Sequence, residues 1–291
     1  MFSQAQLIQS IYTYIIIYKQ NPIMSLSKFS TILLIGGTSG IGAGLAHRLH
    51  AEGKKVIVTG RRQDRLTAIE RELPGTRTAT FDLSDIQALP KTIANITQQF
   101  PDVDSVIIAA GIMCYTQLDK PETVDLESVA REVATNLTGP LVVSNLFTSF
   151  FLSEKKKNSP TLIAFVTSGL AIAPGFPFAS VYCATKSALH SFAISLRSLL
   201  QNSQVDVVEI GPQIVGDTEL MRQKDGDQII AALGGPDSPA AKGMPLQQCL
   251  DEIMAGLSEG KEEFGPGRAD ALFKLWRSSF EPVLQQRGVM G

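Results

Sequence analysis

The sequence is poor in cysteine, with three in 291 residues (Cys114, Cys183 and Cys249) scattered without the close spacing of a metal site. This excludes a disulfide scaffold and suits a reducing compartment, so we expect a cytoplasmic protein with no metal. An excess of either charge is also missing. Lys and Arg number 26 against 28 Asp and Glu, a net charge of −2, and no basic stripe runs along the chain. Nucleic acid is therefore not an expected partner. The run Lys155-Lys156-Lys157 reads as a solvated helix end. A long hydrophobic run is lacking too: Leu7 to Tyr18 is apolar and β-branched, but it is 12 residues long, broken by Gln9, Ser10 and Thr13, and has no basic residue ahead of it. It is short for a membrane span and lacks the flank of a secretory signal, so no membrane is expected. Residues 1–28 read as an N-terminal extension, of which 1–23 are either a flexible lead or lie upstream of a start at Met24.

What is present is a regular alternation. Thr31 to Ile35 is a short apolar strand run, followed by Gly36-Gly37-Thr38-Ser39-Gly40-Ile41-Gly42 and a helix through His50. Further strands are expected at Lys55 to Thr59, Arg77 to Phe81, Val103 to Ala109, Thr161 to Thr167 and Val205 to Ile210. Helices are expected at Arg62 to Leu73, Asp85 to Phe100, Thr123 to Ser153 and Tyr182 to Asn202. Strands spaced by helices mean βαβ units, hence an α/β fold: a doubly wound parallel sheet of about seven strands with helices on both faces. No linker or repeat divides residues 29–291, which read as one domain with a C-terminal helical tail. The glycines and prolines of Asp217 to Pro239 read as an irregular, mobile segment. Leu246 to Ser258 and Ala269 to Gln286 are two more helices, with Phe273, Trp276 and Phe280 at helical spacing as core or interface residues.

Two stretches carry chemistry. If Tyr182 opens a helix, Lys186 lies one turn later on the same face, so an ammonium and a phenol share one site. A close cation favours the phenolate and lowers the tyrosine's pKa, fitting it to pass a proton to or from a substrate oxygen. Ser168, at the end of a strand, can donate a hydrogen bond to the same oxygen. The other stretch is the glycine run, which follows a strand and opens a helix, the context of a dinucleotide-binding turn. Its spacing, Gly36-x-x-x-Gly40-x-Gly42, also suits a plain strand-to-helix turn.

Together these motifs resemble the short-chain dehydrogenases/reductases over about residues 29 to 260. The family's glycine motif matches Gly36, Gly40 and Gly42; its Asp-Leu pair at the adenine matches Asp82-Leu83; its helix asparagine matches Asn136; its Ser, Tyr and Lys match Ser168, Tyr182 and Lys186. Ser168-Gly169-Leu170-Ala171 and the Trp-containing C-terminal helix look similar to microbial members labelled DltE-like. The resemblance implies a Rossmann fold and a catalytic set of Asn136, Ser168, Tyr182 and Lys186, Asn136 propping the lysine through a water. It implies a cofactor set of Gly36, Thr38, Ser39, Gly40, Ile41, Gly42, Arg61, Asp82, Leu83, Ala110, Gly111, Tyr182, Lys186, Pro212, Val215 and Thr218. Four features depart from the family pattern. Ile35 replaces a threonine that ties the glycine turn down, and Ile108-Ala109-Ala110-Gly111 lacks an asparagine pair that braces the sheet. The Ser168-to-Tyr182 separation is one residue longer than usual, and Gln213 follows Pro212 where glycine is usual.

We therefore expect an NADP-dependent oxidoreductase that moves a hydride between NADP(H) and a small carbonyl or alcohol, Tyr182 acting as general acid/base. The alternative is a catalytically idle NADP-binding regulator. NADPH is expected over NADH because Gly60 stands where NAD-selecting folds carry a carboxylate, and Arg61 beside it can meet a 2′-phosphate. Arg62 reads either as a second contact or as a solvated helix opener. His190 reads as a packing or interface histidine, and Met113, Cys114 and Tyr115 as either pocket lining or loop packing. A homodimer or homotetramer is implied, with Leu146, Phe150, Ala193 and Leu196 between subunits.

Overall fold

The computed structural model describes residues 25–154, 156, 158–216, 218–222 and 225–289, with Met221 and Arg222 described by backbone alone. The expectations for residues 1–23, Leu7 to Tyr18, Lys155, Lys157 and Asp217 lie outside the described residues. Seven strands form the sheet: β1 (Thr31–Ile35), β2 (Lys55–Gly60), β3 (Arg77–Thr80), β4 (Ser105–Ile108), β5 (Thr161–Val166), β6 (Val205–Ile210) and β7 (Glu263–Phe264). Their order is β3-β2-β1-β4-β5-β6-β7 and every pairing is parallel. Around them lie α1 (Gly40–Ala51), α2 (Gln63–Glu72), α3 (Leu89–Gln99), α4 (Leu126–Val133), α5 (Gly139–Phe151), α6 (Ser180–Leu200), α7 (Gly226–Ala232), α8 (Pro239–Lys242), α9 (Leu246–Ser258) and α10 (Ala269–Gln286).

The apolar strands read as continuous runs because both faces are covered. In β1, Ile32 and Leu34 join Leu45 and Leu49 of α1 and Leu250 and Ile253 of α9 on one face. Leu33 and Ile35 face the opposite way, toward a core that includes Ile93 of α3, Phe147 of α5 and Leu189 of α6. Successive side chains point to opposite faces of a strand, so five apolar residues feed two cores at once. From β1 the chain builds outward to β3, then returns to place β4 on the other side of β1. The resulting crevice at the C-terminal ends of β1 and β4 is where such sheets bind ligands.

Several elements differ from the sequence reading. The long helix expected from Thr123 to Ser153 is two helices, α4 and α5, joined by a π-turn over Ala134–Thr138. Pro140 has no N–H to offer the Asn136 carbonyl, so the regular ladder fails there. The segment Asp217 to Pro239 contains a 3₁₀ turn at Glu219–Arg222 and the helix α7, whose Ile229 is buried. Helix α6 opens at Ser180, two residues before Tyr182. β7 is only two residues long, too short to leave a periodic signal. Ala193 and Leu196, expected between subunits, are buried in the chain's own core, because their side of α6 packs on the sheet. Leu146 and Phe150 are half-buried. No described helix is long and apolar enough to cross a membrane.

Candidate active site

The glycine turn is built by backbone bonds. The N–H groups of Gly36 and Gly37 both donate to the Thr59 carbonyl at 3.1 Å, and those of Ala109 and Ala110 donate to the Ile35 carbonyl at 2.9 and 3.0 Å. These bonds tie β1 to β2 and β4 where Ile35 and the alanines carry no polar side chain to do so. Gly36 has φ of +85°, and a Cβ there would stand 2.6 Å from the Ala110 backbone; one on Gly42 would run into the Gly36 carbonyl oxygen. Chain crossing and helix start therefore need glycine at both positions. Ser39 sits at the N-cap of α1 without using its side chain to cap it, which leaves first-turn N–H groups for an anion.

A cleft of about 460 Å³ runs past this turn. Gly36, Thr38, Ser39, Gly40, Ile41 and Gly42 line it, with Arg61 at the end of β2, Asp82 and Leu83 after β3, and Ala110 and Gly111 after β4. Ser168, Tyr182, Lys186, Pro212, Val215 and Thr218 complete the same cleft. The structure thus brings together every site residue read from the sequence except Asn136, which lies just behind it, fully buried. The donor set suits a dinucleotide phosphate: an uncapped helix start, a glycine turn and an exposed arginine, Arg61. Space above Gly60 is filled by Thr38, whose methyl would stand 2.6 Å from a Cβ there, so a longer side chain at position 60 would displace it.

Asn136 is fixed by the loop after β4. Its Oδ1 accepts from the Ile112 N–H at 2.9 Å, and its Nδ2 donates to the Ile112 carbonyl at 2.8 Å and to Thr185 Oγ1 at 3.3 Å. The π-turn carries this side chain inward. Lys186 Nζ donates to the Val166 carbonyl at 2.8 Å. Nζ and Asn136 Oδ1 each lie 3.5 Å from where a Cβ would stand on Gly111. Ser168 Oγ accepts from the Leu170 N–H at 3.1 Å, which leaves its own O–H to donate into the cleft.

The electrostatics correct one expectation. Burial pushes the Tyr182 phenol well above its ordinary value; the Ser168 hydroxyl alongside works the other way and does not overcome it. Lys186 does not lower it as expected: its ammonium lies 5.6 Å from the ring centroid, over the face of the ring, and is spent on Val166. Burial instead pulls the lysine itself down to about 8, against the opposing charges of Glu209 and Glu132. Burial thus keeps the phenol protonated at neutral pH, the form a reduction consumes, and makes it a weaker acid than an ordinary tyrosine.

Sequence reasoning missed three groups. Glu132, one turn before Asn136, is buried with neither carboxyl oxygen hydrogen-bonded; on the page it reads like any polar residue of an amphipathic helix. Glu219 binds Arg62 at 2.8 Å and also Arg65, joining the segment after β6 to the start of α2 across the cleft mouth. Arg62 thus opens α2 as a solvated residue, and its guanidinium is paired with Glu219. His190 is buried with Nδ1 at 2.7 Å from Glu209, which also accepts from Thr167 Oγ1 at 2.6 Å; Trp276 packs edge-on against its ring. With Glu263, these two make a grouping of metal-ligand type. Arg197 and Arg277, 3.6 and 3.9 Å from the Glu263 carboxylate, oppose a dication there. Met113 lines the cleft, Cys114 is held under Ser128, and Tyr115 stacks on Phe178 at 5.6 Å. Phe273 is buried beneath Gly211, whereas Phe280 is 52 % exposed.

The family profile described as short chain dehydrogenase matches residues 30–229. The chain belongs to the short-chain dehydrogenases. It is 32 % identical over 258 residues to an uncharacterized oxidoreductase, DltE, of Bacillus subtilis (strain 168), covering 88 % of this chain and 96 % of that one. A serine 3-dehydrogenase of Rhizobium radiobacter is 35 % identical over 185 residues, 62 % of this chain and 70 % of that one. Among solved structures, a short-chain dehydrogenase from Sphingobium yanoikuyae in complex with NADPH superposes with a TM-score of 0.72 at 20 % identity, covering 88 % and 95 % of the two chains. A family member from Burkholderia phymatum in complex with NAD gives 0.73 at 16 % identity, again covering 88 % and 95 %. At these identities the structures speak for the fold. As a short-chain dehydrogenase the protein is an oxidoreductase, with a seven-stranded parallel Rossmann sheet.

Proposed function

We propose that this short-chain dehydrogenase moves a hydride between NADP(H) and a carbonyl/alcohol substrate, with Tyr182 as the proton donor and acceptor. The observation that carries the reading is the convergence of Ser168, Tyr182 and Lys186 on one cleft with the glycine turn. NADPH, when bound, supplies the hydride; the chain supplies place, dryness and the proton. The start of α1 and the glycine turn would hold the diphosphate, Asp82 and Leu83 would hold the adenine, and Arg61 would take the 2′-phosphate. Pro212, Val215 and Thr218 would hold the nicotinamide end. In reduction, the Ser168 hydroxyl and the Tyr182 phenol both donate to the carbonyl oxygen; the phenol's proton passes to it as the carbon is reduced. Lys186 stands beneath the phenol and Asn136 holds the loop and helix that frame it. Leu170, Phe176, Phe178, Leu220 and Leu233 wall the cleft beyond Tyr182, which favours a carbonyl with an apolar substituent.

The reading extends to residues 29–291 as one oxidoreductase domain, working in the cytoplasm. A non-catalytic role drew its support from the missing asparagine pair and from Gln213; the bonds from the Ala109 and Ala110 N–H groups to the Ile35 carbonyl brace the sheet without that pair, which favours the catalytic reading. Tyr182→Phe tests the assignment on any carbonyl the wild type reduces. We expect kcat to fall by roughly 10²–10⁴-fold with NADPH binding retained, since only the proton donor is lost. Wild-type turnover by the variant refutes it.

A further inference from the structure

We propose that Glu209 is a positioning residue of this site: its carboxylate holds Thr167 and His190, and through them it aims the Ser168 hydroxyl at the oxygen that Tyr182 protonates. The proposal rests on the hydride-transfer reading above. Glu209 touches neither substrate nor cofactor and acts through Thr167.

Glu209 is fully buried in β6, a strand whose other buried residues are Val205, Val207, Val208 and Ile210. It shares a face with Val207, so its carboxylate enters the core between the sheet and α6. A carboxylate there is costly unless its oxygens are bonded, and an apolar side chain would serve stability as well. Both oxygens are in use. Thr167 Oγ1 donates to Oε1 at 2.6 Å, and His190 Nδ1 lies 2.7 Å from Oε2. A carboxylate accepts both bonds, so Nδ1 carries the imidazole proton. The ring is held in turn by α10, where Trp276 meets it edge-on at 4.5 Å and Phe273 at 6.0 Å between ring centres. Glu263 stands opposite Glu209 on β7, but Arg197 and Arg277 lie 3.6 and 3.9 Å from its carboxylate. His190 and Thr167 remain the partners of Glu209.

These bonds close a ring that contains the reacting groups. Val166 ends β5 and is followed by Thr167 and Ser168, while Lys186 and His190 lie one turn apart on α6. Lys186 donates to the Val166 carbonyl at 2.8 Å, and Thr167 is tied through Glu209 to His190. The end of β5 is thus fastened to α6 twice, by neighbouring residues. Ser168 comes next, with φ of −170° and ψ of 154°. In such extended backbone successive side chains point opposite ways, so a Thr167 turned toward Glu209 leaves Ser168 turned away from it. Because α6 also carries Tyr182, the carboxylate sets the two hydroxyl donors in register.

Proton NMR of the wild-type protein reads the Glu209 clamp without any substrate. The imidazole proton held against Glu209 should resonate far downfield of the amides, and this signal should be missing in Glu209→Gln, where the bond is no longer charge-assisted. No such signal, or one that persists in the variant, overturns the proposal. The second arm uses NADPH with benzaldehyde, or with the carbonyl that the wild type reduces fastest. Thr167→Val should lower kcat roughly tenfold with NADPH binding unchanged, and Thr167→Ser, which restores the hydroxyl, should recover most of the loss. In a Ser168→Ala background the same valine should cost less than about twofold, because the group it misaims is gone. An equal cost in both backgrounds overturns the proposal, since a general loss of stability gives that result. Should Glu209→Gln not fold, the wild-type signal and the Thr167 series still decide. The NMR arm can fail while Tyr182→Phe upholds the hydride-transfer reading; a signal in a protein that reduces no carbonyl fails that reading, and the proposal with it.

Discussion

Arg61, Arg62 and Arg65 stand within one turn of each other, yet they do different work. Arg62 and Arg65 are both engaged by Glu219, so Arg61 is the exposed guanidinium next to Gly60. A phosphate there meets two parallel, charge-assisted bonds. We expect NADPH to bind roughly 1.5–3 kcal/mol more tightly than NADH, about ten- to hundredfold, and Arg61→Ala to erase the difference. Fluorescence titration of both reduced nucleotides checks this, and a variant that keeps its preference shows the selector lies elsewhere. At this scale the sequence told much about the cleft and little about what lies behind it. Tyr182, Lys186 and the glycines are legible because chemistry demands those types at those spacings. Glu132 is not, since an acid on a short amphipathic helix looks the same whether it faces water or the core. The Arg62–Glu219 contact joins residues 157 apart, a distance no local pattern spans.

Among the elements, β1, β2, β5 and β6 were readable because an apolar run with helices on either side has few other places to go. The break between α4 and α5 was hidden in a continuous helical pattern, although Pro140 holds the cause in plain sight. Helix α7 was masked by glycines and prolines around it, although Ile229 and Leu233 give it a buried side. Helices α5 and α6 carry the assembly question. Ala193 and Leu196 already serve the chain's own core, so contact with a second copy falls to the half-buried Leu146 and Phe150. Leu199, 81 % exposed near the end of α6, extends the same apolar supply. We propose a homodimer through these helices; light scattering on the chain from Met24 should give twice the monomer mass, and a monomer at micromolar concentration sinks the idea.

At the scale of the molecule, a parallel sheet with two cores holds the reacting groups rigidly, while the rim of the cleft is fastened by Glu219 to Arg62 and Arg65. The two kinds of support answer to different conditions. Apolar packing is indifferent to dissolved ions or gains from them, whereas a partly exposed ion pair weakens as salt rises and the Debye length shrinks from about 10 Å at 0.1 M to about 3 Å at 1 M. Stopped-flow release of NADPH should therefore quicken as salt rises, and a rate flat in salt would contradict this. If release limits turnover, the ion pairs of Glu219 with Arg62 and Arg65 act as its latch. The protein's speed would then follow the ionic strength of its surroundings, even with the reacting groups unchanged.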